Sequence, residues 1–248
     1  MKYAEITEQQ FRRRSIISFS IFFVFILAAF LCLRWIRHAP QVNGTRKPLR
    51  SVLGFNERVF GGLFSSDRLS KTYPLSDAVK KPRANGNVGL RSPVDTADWV
   101  LNVVRGEKDT LRVRLDELKK LPKTDIVFDF KCIEGWSQVT HWGGVKFADF
   151  VKYYHLDKQT ALKYTGISTP DREYYVGIDM NSALHPQTIL CYEMNGAPLP
   201  LTQGYPLRLI IPVKYGVKHI KRIGEIKFSN ERPPDYWYEK GYDYFTGL

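Results

Sequence analysis

Cysteine is scarce in this chain. Cys32, Cys132 and Cys191 are the only three in 248 residues, too few for a disulfide scaffold or a Cys-rich zinc ribbon. Histidine is sparse as well. None of the five pairs with another at metal-ligand spacing, so a zinc site would lack ligands. There is no Gly-x-Ser-x-Gly elbow, His-Glu-x-x-His pair or Walker loop, and no Gly-x-Gly-x-x-Gly after a strand. No internal repeat or heptad pattern is visible. Acidic residues are short mainly in one place. Residues 1–50 hold nine Lys/Arg against two Asp/Glu and so carry +7 of the net +12. The remaining residues carry only +5, which argues against a nucleic-acid partner for the main domain. At 44% apolar and 25% charged, the composition is globular.

One stretch lacks charge altogether. Residues 15–33, SIISFSIFFVFILAAFLCL, form a 19-residue run bracketed by Arg12, Arg13 and Arg14 before it and by Arg34 and Arg37 after it. At 1.5 Å per residue it spans a hydrocarbon core of roughly 30 Å. Trp35 stands where an interfacial anchor belongs. The run exceeds a usual signal-peptide core, and no A-x-A-like site closes it. An uncleaved single-pass anchor over 15–36 is therefore expected, behind a basic tail over 1–14. Arg13-Arg14-Ser15-Ile16-Ile17 resembles a twin-arginine export start. Flanking cations number four before the run and five within the next 17 residues, so charge alone does not orient it.

Residues 37–52 read as a linker and 53–248 as the main domain, of mixed α and β character. Segment 55–64, FNERVFGGLF, reads as an ordered arm. A strand is expected over 99–104. Leu115, Leu118 and Leu121 mark a short helix that Pro122 ends. Ile126, Phe128 and Phe130 alternate with Val127, Asp129 and Lys131, the period of a half-buried strand leading into Cys132. Val145, Phe147, Phe150, Val151 and Tyr154 suit a helix face. Strands are expected at 174–178, 188–194 and 207–211, with Asn195-Gly196 as a hairpin turn. The aromatic segment 233–248 is expected to wrap the domain.

Two constellations carry chemistry. Cys132 opens a turn, CIEGWS, and is open to three readings: a small buried hydrophobe, a soft metal ligand, or a nucleophile with His141 as base. Cys191, among apolar neighbours, reads as packing. Segment 203–227 holds Arg208, Lys214, Lys218, Lys221, Arg222 and Lys227 against Glu225 alone. It reads either as a solvated basic face or, through YGVKHIK at 215–221, as a phosphate nest.

Together these segments resemble the sulfite oxidase fold family of molybdopterin oxidoreductases. FKCIEGWS (130–137) with WGGV (142–145) is similar to its molybdenum-cysteine signature. ALHPQTIL (183–190), MNGAPLP (194–200), GYPLRLIIP (204–212) and YGVKHIK (215–221) are similar to the rest of its core, and NERPP (230–234) to the ending of its periplasmic protein-methionine-sulfoxide-reducing members. The resemblance implies a mixed α+β molybdopterin-binding fold, here behind the one transmembrane helix read from the hydropathy, and molybdenum-molybdopterin with Cys132 as the protein's metal ligand. It implies cofactor contacts from Asn56, Glu57, Thr165 or Gly166, Gln203, Arg208, His219, Ile220 and Lys221. Glu134, two residues beyond Cys132, would face the same side in an extended segment and serve as a proton donor. The implied reaction is oxygen-atom transfer reducing a sulfoxide, methionine sulfoxide included; the alternatives are sulfite oxidation and a metal-free tethered binding domain. No haem domain and no C-terminal sandwich is expected. Electrons would then come from a separate membrane haem protein or quinone-linked donor, with the domain outside a bacterial cytoplasmic membrane.

Overall fold

In the computed structural model, residues 7–65 and 67–248 are described; the first six residues of the expected basic tail lie outside them. Helix α1 (Glu8–His38) begins at a capping box, in which the Thr7 side chain accepts from Gln10 N–H and the Gln10 side chain accepts from Thr7 N–H. It is long and apolar enough to cross a membrane, and no residue of it is buried. The expected linker is ordered instead. β1 (Gln41–Val42) and β2 (Thr45–Arg46) form a small hairpin, and helix α2 (Lys47–Gly61) follows at once with Pro48 in its first turn. The boundary expected at residue 53 therefore falls inside a helix. Asn43-Gly44, which in sequence reads as part of a free tether, makes the tight turn of this hairpin.

Two five-stranded sheets build the domain. β3 (Val100–Gly106) and β4 (Asp109–Arg114) form a hairpin, and α3 (Leu115–Leu118) follows. β5 (Lys123–Lys131) buries Ile126, Phe128 and Phe130 on one face, as the alternation predicts. β6 (Ser137–Lys146) pairs with β5 along its whole length. Val145 belongs to this strand, not to the helix α4 (Phe147–Tyr153) that follows. After α5 (Asp157–Thr160) come β7 (Tyr164–Ser168) and β8 (Tyr175–Asp179), then α6 (Met180–Ala183). β9 (Ile189–Met194) turns through Asn195–Gly196 into β10 (Ala197–Pro198). β11 (Arg208–Ile210) returns beside β9, and β12 (Glu225–Ser229) closes the count.

The first sheet runs β5-β6-β9, with β10 and β11 both along the outer edge of β9, all antiparallel. The second runs β4-β3-β12-β7-β8, with β3 and β12 its parallel pair. β6 carries Gly143-Gly144, which breaks any reading of it as a strand from periodicity. A Cβ on Gly144 would stand 2.2 Å from the Leu190 carbonyl oxygen, so only glycine lets β6 and β9 approach there.

Residues 233–248 wrap the second sheet, as their aromatic content predicts. Asp235 fastens this wrap. Its carboxylate accepts from Lys218 Nζ (2.5 Å), Gly177 N–H (3.1 Å) and Tyr238 N–H (3.0 Å), and Lys218 Nζ also donates to the Gly177 carbonyl (2.9 Å). Both charges are almost fully buried. Removing one leaves the other stranded. Asp235→Ala is expected to cost roughly 3–5 kcal/mol of stability, read from urea denaturation, with Asp235→Asn retaining more of it.

Candidate functional site

Cys132 ends β5 at the floor of a cleft. Its N–H donates to the Trp136 carbonyl and its carbonyl accepts from Gly135 N–H, so 132–136 is a closed turn with Gly135 at φ +89°. The extended segment expected here is absent. Glu134 nonetheless lines the same cleft, held by a 3.0 Å hydrogen bond from Trp136 Nε1. Hydrogen bonds from Asn85 and then Trp136 keep its carboxyl below the ordinary range. The carboxylate thus faces the cleft as a hydrogen-bond acceptor.

The cleft encloses about 150 Å³ and opens to solvent. Arg208, from β11, is 2% exposed. Its Nη1 donates to the Gln203 side-chain oxygen (2.8 Å) and carbonyl (3.2 Å), and Nη2 donates to the His219 carbonyl (3.2 Å). The guanidinium lies 4.5 Å from the Trp142 ring centre. Its Nε is buried without a partner. Burial pushes its pKa down to about 10. Lys221 donates to the Asn85 (2.8 Å) and Gly86 (3.0 Å) carbonyls, and burial, then the Arg208 charge, pushes it down to about 7. Neither cation forms an ion pair among the described residues.

His219 is buried at the same wall, and Phe130 meets it edge-on at 4.8 Å. Its Nδ1 accepts from Ile211 N–H (3.5 Å) and its Nε2 donates to the Lys214 carbonyl (3.1 Å). Burial, then Arg208, drives its pKa to about 3, so it stays neutral. Trp136, Tyr174, Trp237 and Tyr242 line the remaining walls.

A strap over residues 82–92 borders the cleft. Gln203 Nε2 donates to the Pro82 and Arg83 carbonyls, Lys221 to those of Asn85 and Gly86, and Arg222 to those of Leu90 and Ser92. The strap brings Asn85 to Cys132, with Nδ2 3.9 Å from Sγ, and lays Arg83 over Trp136 at 4.7 Å. Sequence reading missed both residues, because PRANG looks like a turn-rich linker; the pairing of Asn-Gly with nearby cations was the one usable signal.

Cys132, Glu134, Gln203, Arg208, His219 and Lys221 therefore meet in one cleft. The other expected contacts lie elsewhere. Asn56 and Glu57 ride on α2, where Glu57 pairs with Arg232 and borders a different hollow. Thr165 and Gly166 lie within β7; Thr165 bonds the Lys227 carbonyl and Gly166 packs on Pro233. The Ile220 side chain is core. His141 is no base for Cys132: it bonds Asp125 at 3.0 Å across the strands. Lys214 and Lys218 turn inward to Asp179 and Asp235, so the expected nest keeps only part of its charge. Cys191 is buried in β9, and burial raises its thiol to about 12, in line with a packing role.

These residues fit an anionic, sulfur-ligated group. A buried Arg208 and a half-buried Lys221 lack acids, one guanidinium nitrogen lacks any partner, and the Cys132 thiol lines the same cleft.

Residues 88–237 match the family described as oxidoreductase molybdopterin binding domain. A protein of Azospira oryzae that bears the name of a protein-methionine-sulfoxide reductase subunit, YedZ1, is 38% identical over 80% of this chain and 76% of its own length. The protein-methionine-sulfoxide reductase catalytic subunits MsrP of Xanthomonas axonopodis and Campylobacter jejuni are 33% and 31% identical, over 54% and 60% of this chain. The chain spans about half the length of these MsrP relatives, 47% and 55%. Among solved structures, the sulfane dehydrogenase SoxCD of Paracoccus pantotrophus shares the fold, with TM-score 0.51 and 14% identity over 67% of this chain and 46% of that one.

The Lys221 shift predicts a pH signature. Its pKa falls from 10.5 in the unfolded chain to about 7 in the folded one. Between those values the unfolded chain binds more protons, so stability rises with pH across that window. Lys221→Met is expected to flatten this rise, read as the difference between wild-type and variant urea midpoints across the pH range. Lys214, also lowered by burial, contributes equally to both proteins and cancels.

Proposed function

The chain belongs to the oxidoreductase molybdopterin binding domain family and is a molybdenum-dependent oxidoreductase, and from that premise we propose that it reduces sulfoxides, with methionine sulfoxide in proteins as the leading substrate. The observation that carries the reading is the thiol of Cys132 in an aromatic cleft where buried Arg208 and half-buried Lys221 have no acidic partners. The names of the relatives support the substrate class.

Cys132 would hold the metal through its sulfur, a soft ligand. Arg208 and Lys221 would hold the anionic end of the pterin by charge-assisted hydrogen bonds, with Gln203 keeping Arg208 in place. When bound, this cofactor supplies two-electron oxygen-atom transfer. Asn85 donates towards the Cys132 sulfur and orients it. Trp136, Tyr174, Trp237 and Tyr242 exclude water and offer aromatic faces that suit a methyl-sulfur side chain. Tyr174 donates its hydroxyl to the Val217 carbonyl (2.6 Å), and burial raises its pKa, so it holds its proton as a fixed wall. Reduction of a sulfoxide to a thioether and water consumes two protons, and Glu134 at the cleft would relay them inward from solvent.

Sulfite oxidation is the second reading, and one observation favours it. Arg83 brings a guanidinium to the cleft, where an anionic substrate would bind. Electrons would pass to or from a separate membrane haem protein or quinone-linked donor, beside which α1 would hold the domain. The domain would face outward from a bacterial cytoplasmic membrane; protection of the domain from protease on intact spheroplasts would contradict that placement.

Elemental analysis and turnover test the reading together. Detergent-purified wild type from a host that makes the cofactor is expected to carry stoichiometric molybdenum and to turn over methionine sulfoxide faster than sulfite. Cys132→Ser is expected to alter the metal's electronic spectrum and abolish turnover. Asn85→Ala is expected to lower metal affinity or activity by about tenfold. Wild type without molybdenum would leave a metal-free tethered binding domain as the better account, and faster turnover of sulfite would favour the second reading.

A further inference from the structure

Helix α2 is docked on the domain through Arg50 and Glu57 and leaves a row of apolar side chains in solvent, interrupted by Asn56. Arg50 donates to the carbonyls of Tyr242 (2.8 Å) and Tyr238 (3.0 Å), and Glu57 pairs with Arg232. Both side chains fall on one face of α2 and dock it on the aromatic wrap. The opposite face carries Leu49, Val52, Val59 and Phe60, joined by Leu63 just past the helix end, at the spacing of one helical stripe. All five are exposed, Phe60 at 63% and Leu63 at 66%. Elsewhere in the domain, exposed large apolar residues stand singly along the chain. Here they crowd into one short segment, which singles it out as an interaction surface.

Its position says what covers it. α2 begins nine residues after α1 ends, and the joint is fixed: Arg46 Nη1 donates to the Ala39 carbonyl (2.9 Å) and Lys47 N–H to that of Pro40 (2.9 Å). An open crevice of about 1100 Å³ lies between the two helices. Leu31, Trp35, Leu49 and Val52 give it apolar walls, and Arg34 and Lys47 stand on it as cations. The apolar surface of a membrane-spanning helix thus continues through this crevice onto α2, with positive charge at the turn.

We propose that α2 lies in the headgroup region of the bilayer, its Leu49–Phe60 stripe among the acyl chains and Arg34 and Lys47 on anionic phosphates. Apolar burial and cation attraction are the two terms that hold such helices on a membrane. Because α2 is bonded to the wrap, the bilayer then fixes the tilt of the whole domain. The inference rests on α1 spanning the membrane.

The test uses the full chain in liposomes of phosphatidylethanolamine and phosphatidylglycerol. The photo-crosslinker p-benzoylphenylalanine replaces Phe60 in one sample and Lys108, in the β3–β4 turn, in another. After irradiation, the α2 peptide is expected to carry a lipid mass and the Lys108 peptide none. Crosslinking from position 60 only to a second copy of the chain, or no lipid adduct there, would overturn the proposal. So would a discrete adduct to another protein from the same position in cell membranes, which would assign the stripe to a partner. An alkaline carbonate wash separates the two readings: a chain that stays in the liposomes without a lipid adduct refutes the α2 proposal alone, whereas a chain that washes out refutes the anchor and, with it, the α2 proposal that depends on it.

Discussion

Arg208 is a positive charge taken out of water, with the half-buried Lys221 beside it and no carboxylate to meet either, and the architecture around the cleft follows from that constraint. A buried charge must be bonded or neutralised, or it shifts its pKa. Here all available neutral acceptors are recruited. Gln203 and the His219 carbonyl hold Arg208, the Trp142 ring faces it, and two strap carbonyls hold Lys221. None of these neutralises the charge. An arriving anion therefore gains more in this cleft than it would at the surface, where water screens the same cations. The neighbouring cations are treated differently: Lys214 and Lys218 are paired to Asp179 and Asp235 and serve the fold. One basic segment thus splits into structural charges with partners and site charges without them.

That split marks how far the sequence could be read. Strong periodicity was legible, so α1, β5 and the aromatic wrap stand where their patterns put them. The cleft was legible wherever a short motif carries its own geometry, as with Cys132 at the end of a strand and Arg208 inside one. Glu134 reached the right cleft through a turn, although an extended segment was expected. Asn56, Glu57, Thr165 and Gly166 lie outside this cleft's lining, because their placement depends on how distant elements pack, which local pattern does not encode. β6 was hidden by Gly143-Gly144, a pair that reads as a turn until the close approach of Leu190 is seen. Asn85 and Arg83 were hidden in the same way, since a strap held by side-chain clasps has linker composition.

The molecule therefore has two functional ends built by different rules. At one end, a buried Arg208 and a half-buried Lys221 line the cleft. At the other, apolar side chains are left exposed along α2 and continue the surface of α1. Both ends meet the wrap: Trp237 and Tyr242 line the cleft, while the Tyr238 and Tyr242 carbonyls receive Arg50 of α2. The final aromatic segment is the mechanical link between them.

The strap has a consequence for timing. Its contacts join residues far apart in sequence: Lys221 reaches back 136 positions to Asn85, and Gln203 reaches back 121 to Pro82. They span the same loop lengths as the second sheet itself, where β12 Glu225 pairs with β3 Asn102. A chain still being synthesised has the Cys132 thiol but no paired cations around it. The cleft is thus complete only once segments more than 120 residues apart have met, whereas the Cys132 turn closes between Cys132 and Trp136.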